Sequence, residues 1–317
     1  MIEAGSSLCK LRLPVVASPM FIVSGPELLI AQCKAGIVGS MPALNARPSA
    51  QLDEWLNEIR EHLLEWDRNH PSQPAGPFAV NLIVHKTNQR LDEDLDAVVR
   101  HKVPIVITSL GAREDVNAAV HAYGGMVLHD VINNRFAHKA IEKGADGLIA
   151  VAAGAGGHAG TKSPFALVQE IRRWFQGLLV LSGAIANGRS VLAAQAMGAD
   201  LAYIGSAFIA TDEARATDAY KRMIVECDSD DVVYSDFFTG VHGNYLKPSI
   251  RAAGLDPDHL VRSEASPLRF ANHNKPWKDI WGCGQGIGAI QETTSVSELV
   301  DRLQREYTGA VQEFSFR

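Results

Sequence analysis

Gly147-Leu-Ile-Ala-Val-Ala-Ala-Gly-Ala-Gly-Gly-His-Ala-Gly160 opens as an unbroken apolar run and ends as a glycine-rich loop. The run over 148–153 has the pattern of a strand buried on both faces, as in a parallel sheet. Gly154, Gly156, Gly157 and Gly160 then surround a single imidazole, His158. Glycines let a backbone approach a planar or anionic ligand closely, because no Cβ intervenes. One imidazole at the mouth of such a loop suits proton chemistry.

Outward from this stretch, apolar runs alternate with amphipathic segments over the first two-thirds of the chain. Strands are expected at 14–18, 37–41, 78–84, 104–108, 125–130, 148–153, 178–182 and 201–205. Helices are expected at 26–34, 49–68, 91–101, 112–123, 133–143, 163–175 and 188–197. The first has Ser24 before it as a cap and Gly36 as a stop. The second carries Leu52, Trp55, Leu56, Ile59, Leu63 and Leu64 at helical spacing. Eight strands with intervening helices are the count of an α/β protein of the (β/α)8 TIM-barrel class. A doubly wound sheet would carry fewer strands and a G-x-G-x-x-G after the first, which is missing.

Active sites of such barrels lie at the C-terminal ends of the strands. That rule puts Met20, Asn81, Thr108, Asp130, His158, Gly183 and Gly205 on one rim. Beyond Thr211 the alternation stops. Residues 212–280 read as a helical or irregular subdomain covering the barrel mouth, with a helix at 213–227. The barrel itself then comprises 1–211 and 281–317, with a closing helix at 296–307.

At 317 residues, 46% hydrophobic and 21% charged, the composition is that of a globular protein. A net charge of -6 without a Lys/Arg stripe speaks against nucleic-acid binding. Cys9, Cys33, Cys227 and Cys283 are widely spaced and form no C-x-x-C pair, so neither zinc nor a disulfide framework is expected. With no apolar run long enough to span a bilayer and no signal-peptide pattern at the N-terminus, a cytoplasmic location is expected. A homo-oligomer is compatible with this reading.

Two turns carry the next signal. Ser182-Gly183-Ala184 and Gly205-Ser206 follow the last two strands, where many barrels bind phosphate through backbone N–H groups. The same residues also suit ordinary tight turns, and His158 also suits a cap for the helix near Ser163. His242 and His85 are further candidates for the mouth. No H-E-x-x-H or carboxylate pair points to a metal, and no G-x-S-x-G or Walker motif is present.

Gly154-Ala-Gly-Gly-His-Ala-Gly160 resembles the A-G-G-H-x-G signature of the nitronate monooxygenases, a family of flavin-dependent barrels. Ser18-Pro-Met20, Val80-Asn-Leu82, Ser182-Gly-Ala-Ile-Ala-Asn-Gly188, Met197-Gly-Ala-Asp200 with Ile204-Gly-Ser-Ala-Phe208, and Gly282-Cys-Gly-Gln285 match further family elements in order. The resemblance implies FMN at the barrel mouth. Met20 and Asn81 would touch its ring system or ribityl chain, with Asp130, Gly157 and Ser182 beside them. Backbone N–H groups of Gly183, Ala184, Gly205 and Ser206 would hold the phosphate, and Gln285 would close over the cofactor. His158 would be the catalytic base or the group that orients the substrate.

The implied reaction is oxidation of an alkyl nitronate, or a nitroalkane, by O2 to a carbonyl compound and nitrite. The alternatives are an FMN-dependent NAD(P)H:quinone or enoyl-thioester reductase, and a flavin-free phosphate-ligand barrel such as an aldolase, epimerase or binding protein. Where many relatives carry His-Lys or Lys after the fifth strand, this chain has His129-Asp130, a carboxylate in place of a cation.

Overall fold

The computed structural model describes residues 7–260 and 278–315. Eight parallel strands form one sheet: β1 (Val15–Ala17), β2 (Gly39–Pro42), β3 (Phe78–Ile83), β4 (Ile105–Ser109), β5 (Met126–Val131), β6 (Gly147–Val151), β8 (Leu178–Ser182) and β9 (Leu201–Ile204). β7 (Gly157–His158) lies outside that sheet. Neighbours run β1-β9-β8-β6-β5-β4-β3-β2, and the Val16–Val38 bridge joins the two ends into a closed barrel. Helices pack outside it, as the alternating pattern predicts.

Strand parity decides which side chains enter the barrel, because successive Cβ atoms point to opposite faces. Val16, Ile105, Ile107, Leu128, Ile149 and Val180 cluster with one another and with Leu8 inside. Val15, Ala17, Val80, Val106, Leu148 and Leu179 cluster instead with helix residues such as Leu28, Leu56 and Val98. Strands with both faces covered need apolar residues at every position, which accounts for the uninterrupted runs.

Helix ends follow local chemistry. Asn133 and Asn187 cap their helices by accepting the N–H of Phe136 at 3.0 Å and of Ser190 at 2.8 Å. Gly36 stops the first helix at φ +86, where only glycine sits without strain. Ser24 is not that helix's cap, contrary to expectation. Gly25 occupies the cap position, and the Ser24 hydroxyl instead accepts the Met20 N–H at 3.0 Å. Leu64 is 58% exposed, outside the buried stripe of its helix (Gln51–Asn69), because that stripe is already filled by Leu52, Leu56, Ile59 and Leu63.

The closing helix runs Val296–Ser315, longer than the expected 296–307. It packs onto the helix Gly188–Met197 so closely that a Cβ on Gly188 would stand 2.2 Å from the Leu303 carbonyl. Glu306 accepts the Gly188 N–H at 2.7 Å, and Tyr307 donates to Gln195 at 2.6 Å.

The segment after Thr211 contains a helix at Asp218–Glu226 and, unexpectedly, a hairpin of β10 (Val232–Ser235) and β11 (Gly243–Leu246). β11 also pairs antiparallel with β7, Gly243 opposite His158 and Asn244 opposite Gly157. A small sheet therefore welds this segment to the glycine-rich loop. Residues 261–277 of the expected 212–280 unit lie outside the described residues. No helix among the described residues is long and apolar enough to cross a membrane.

Candidate active site at the barrel mouth

The inward parity that fills the barrel with aliphatic side chains ends in polar ones at the C-terminal rim. Two residues beyond Ala79, Ile107, Leu128, Val180 and Leu201 stand Asn81, Ser109, Asp130, Ser182 and Tyr203. Asn81 donates to the Ile107 carbonyl at 3.0 Å and to the Ser109 hydroxyl at 2.7 Å. Ser109 in turn donates its hydroxyl hydrogen bond to Asp130 Oδ2 at 2.5 Å. Asp130 Oδ1 is enclosed by protein and has no hydrogen-bond partner. Burial pushes the Asp130 carboxyl from 3.8 up to about 6, against the lowering effect of the Ser109 bond. Tyr203, bonded to Ser18, is held well above the usual phenol range by burial and by the negative charge of Asp130.

Thr108 has the opposite parity and does not reach this rim, contrary to expectation. Its hydroxyl meets His129 Nδ1 at 2.6 Å within the barrel wall. Burial lowers the His129 pKa to about 4, so this imidazole is neutral in the ordinary pH range. Ser109, one residue on, takes the rim position that Thr108 was expected to fill.

On the β8 and β9 side the mouth is built from backbone. The Gly154 carbonyl accepts two N–H groups, from Ala184 at 3.2 Å and from Gln285 at 2.9 Å. Ser206 Oγ accepts the Gly284 N–H at 2.8 Å and retains its own proton to donate. A Cβ on Gly284 would stand 2.8 Å from the Gly154 carbonyl, and one on Gly286 2.7 Å from that of Ala184. Gly205 lies against Ser18 and the Met20 sulfur. The Met20 loop is fixed in turn by Asn45, which donates to the Met20 and Ser24 carbonyls at 3.0 and 2.7 Å and accepts from Ile22 at 2.8 Å. Met20, Gly183, Ala184, Gly205, Ser206 and Gln285 thus come together around three glycine turns. One expected donor is already engaged: the Ala184 N–H serves Gly154, and Ala184, at φ +54, presents its backbone in the left-handed region.

His158 is held from the opposite direction. β7 places it against Gly243, and its Nε2 lies 3.0 Å from Thr239 Oγ1. Asn244, 2% exposed, donates to the Ala155 carbonyl at 2.7 Å and steadies the loop base. Tyr234 donates to the Ala159 carbonyl at 2.8 Å and stacks on His242. Burial lowers the His158 pKa, so the ring is neutral at pH 7. His242 is exposed in that stack, and His85 is exposed and bonded to Thr87.

Sequence reasoning missed Ser109, Tyr203, Asn244 and Thr239. The first two were accessible through strand parity, counted from Ile107 and Leu201. Thr239 and Asn244 carry no local signal, since their partners lie 81 and 89 residues away. Among the described residues, no group of three or more His, Cys, Asp or Glu is placed to hold a metal ion.

A sequence profile of the nitronate monooxygenase family matches residues 62–306. The nitronate monooxygenase of Paraburkholderia phytofirmans is 24% identical over an alignment spanning 95% of this chain and 93% of that protein. A nitroalkane oxidase from Streptomyces ansochromogenes superposes with a TM-score of 0.79 at 24% identity, over 98% of this chain and 100% of that one. FabK from Thermotoga maritima superposes with a TM-score of 0.78 at 23% identity, over 96% of each chain. These two structural likenesses share the barrel described above.

Proposed function

The chain belongs to the nitronate monooxygenase family, and from this premise we propose that it uses FMN and O2 to convert alkyl nitronates to a carbonyl compound and nitrite. It is an oxidoreductase, and enzymes of the family are in general flavin-dependent. The observation that carries the reading is the meeting of a backbone cradle and a single part-buried neutral imidazole at one barrel mouth. The cradle suits FMN because Gly183 and Gly205 carry no side chain between their backbone and a ligand.

In this reading Gly183, Gly205 and Ser206 hold the phosphate, Ser206 adding its hydroxyl, while Ala184 shapes the turn. Met20 and Gln285 flank the cofactor. Asn81, Asp130 and Ser182 line the floor under its ring system, with Gly157 giving room above. Residues 212–280 act as the substrate cover. Bound FMN supplies the electron acceptor for the substrate carbon and the centre that meets O2.

His158 acts on the substrate as a neutral ring. Toward a nitronate anion it offers hydrogen bonding without an ion pair. Toward a neutral nitroalkane it can take the α-proton from carbon. The β7–β11 pairing sets the covering segment against His158.

The test is anaerobic. The purified protein should be yellow, release flavin on heat denaturation, and bleach on adding an alkyl nitronate, with colour restored by O2. Rapid bleaching by NADH with none by nitronate would instead identify a pyridine-nucleotide-dependent reductase. A colourless preparation that releases no flavin would identify a phosphate-ligand barrel.

A further inference from the structure

Asp130 stands on β5 at the mouth, paired across the sheet with Ile149 of β6, which is apolar. From β4 the Ser109 hydroxyl reaches its Oδ2, and from β9 the Tyr203 phenol feels its negative charge. Both of these partners are neutral in the ordinary pH range. His129, next to Asp130 on β5, turns the other way to Thr108. Among the described residues no Lys, Arg or His shifts the Asp130 carboxyl. Asn81 directs its two amide protons to the Ile107 carbonyl and to Ser109 Oγ. That leaves Ser109 to donate to the ionised carboxylate at Oδ2, while Oδ1 is enclosed by protein and has no donor. A buried carboxylate with one oxygen unsatisfied gains by taking up a proton, and further negative charge nearby increases that gain.

We propose that Asp130 takes up a proton when bound flavin is reduced, so that the floor of the site does not hold two negative charges. The inference rests on FMN lying over this floor, as read above. Two electrons and one proton entering the oxidised ring leave it an anion, and a second proton converts the Asp130 carboxylate to the neutral acid. Two protons then accompany two electrons, which the nitronate supplies in turnover. With a folded pKa of about 6, the carboxyl of the oxidised protein is ionised above that pH. The charge added on reduction moves its titration upward. Coupling is therefore expected between pH 7 and 8 and absent at pH 5, where both redox states already hold the proton.

The experiment is a spectroelectrochemical titration of the flavin-loaded protein without substrate, from pH 5 to pH 8. The slope of the midpoint potential against pH counts the protons taken up per two electrons. Between pH 7 and 8 wild type should take up about one proton more than Asp130→Asn. The Asp130→Asn potential should be the higher of the two at pH 8 and should meet that of wild type at pH 5. Ser109→Ala removes the bond to the ionised carboxyl, so it should carry the steep part of the slope to higher pH. Equal slopes in wild type and Asp130→Asn, or the same offset at both ends of the pH range, would overturn the proposal. If Asp130→Asn does not retain flavin, an unshifted slope in Ser109→Ala overturns it instead. A protein that holds no flavin sinks the reading of the site and this proposal with it, whereas equal slopes in a flavin-loaded protein sink the proposal alone.

Discussion

The two sides of the barrel mouth are made of different material. Around β8 and β9 the contacts are peptide groups: Gly183, Ala184, Gly205, Gly284 and the twice-bonded Gly154 carbonyl. Around β3 to β7 they are side chains: Asn81, Ser109, Asp130 and His158, joined to Thr239 from the cover. Peptide groups do not titrate near neutrality, so the contacts of the first side are the same across that pH range. The second side contains groups whose protonation is shifted by burial, so its behaviour is tunable. Separating the grip from the titrating groups lets the second side change without loosening the first.

The sharpest way to break that division is to put a charge on the backbone side. Gly183 has φ +151, and a Cβ there would stand 2.9 Å from the Ala153 carbonyl. Gly183→Asp adds a carboxylate beside the proposed phosphate, a repulsion of about 4 kcal/mol at 4 Å, or roughly 10³-fold in binding. Flavin content after gel filtration should fall to background. Full occupancy would move the phosphate elsewhere.

On the titrating side, His158→Ala should leave flavin bound and lower kcat by on the order of 10²-fold. Burial holds the His158 pKa below its ordinary value. Wild-type activity should therefore be flat around neutrality and fall only at pH values below 6.5, as the ring becomes charged. A rate that falls already at pH 7 would contradict the burial argument.

Asp130 sharpens the contrast through stability. Its folded pKa, about 6, lies above the unfolded value, so the protonated form stabilises the fold. That contribution is complete below pH 3.8 and is lost as pH rises to about 6. Asp130→Asn should accordingly raise unfolding stability at pH 7 by about 2 kcal/mol, discounted for partial solvent access, with no gain at pH 3.5. Denaturant melts at the two pH values decide it, and an equal gain at both would remove the carboxyl's burial as the cause.

The smallest effect belongs to Ser206→Ala. It deprives the Gly284 N–H of its acceptor, at a cost of about 1 kcal/mol. Flavin affinity should drop roughly fivefold, and an unchanged affinity would separate this bond from the grip.

Much of the frame was legible because parallel strands covered on both faces must read as apolar runs. The strand at Leu178–Ser182 and the helices at Pro26–Lys34 and Gly188–Met197 have the expected bounds. The glycine turns were legible because close backbone approach admits no other residue. The small sheet was not. β7 is two residues long, and Gly-Asn-Tyr-Leu at β11 is buried throughout, so it has no in-and-out alternation to read. Thr108 was misplaced by one residue, which in a strand is the difference between the two faces.

On a ribosome the chain emerges N-terminus first, so Gly154 and Ala184 are exposed long before Gln285 is synthesised. The Gly154 carbonyl accepts the N–H groups of Ala184 and Gln285, and Ser206 Oγ accepts that of Gly284. The mouth is therefore completed only after translation has passed these last glycines, whatever order the barrel strands have paired in. A nascent chain stopped before residue 281 has the eight strands of the barrel but neither Gly284 nor Gln285, so these contacts at the mouth close last.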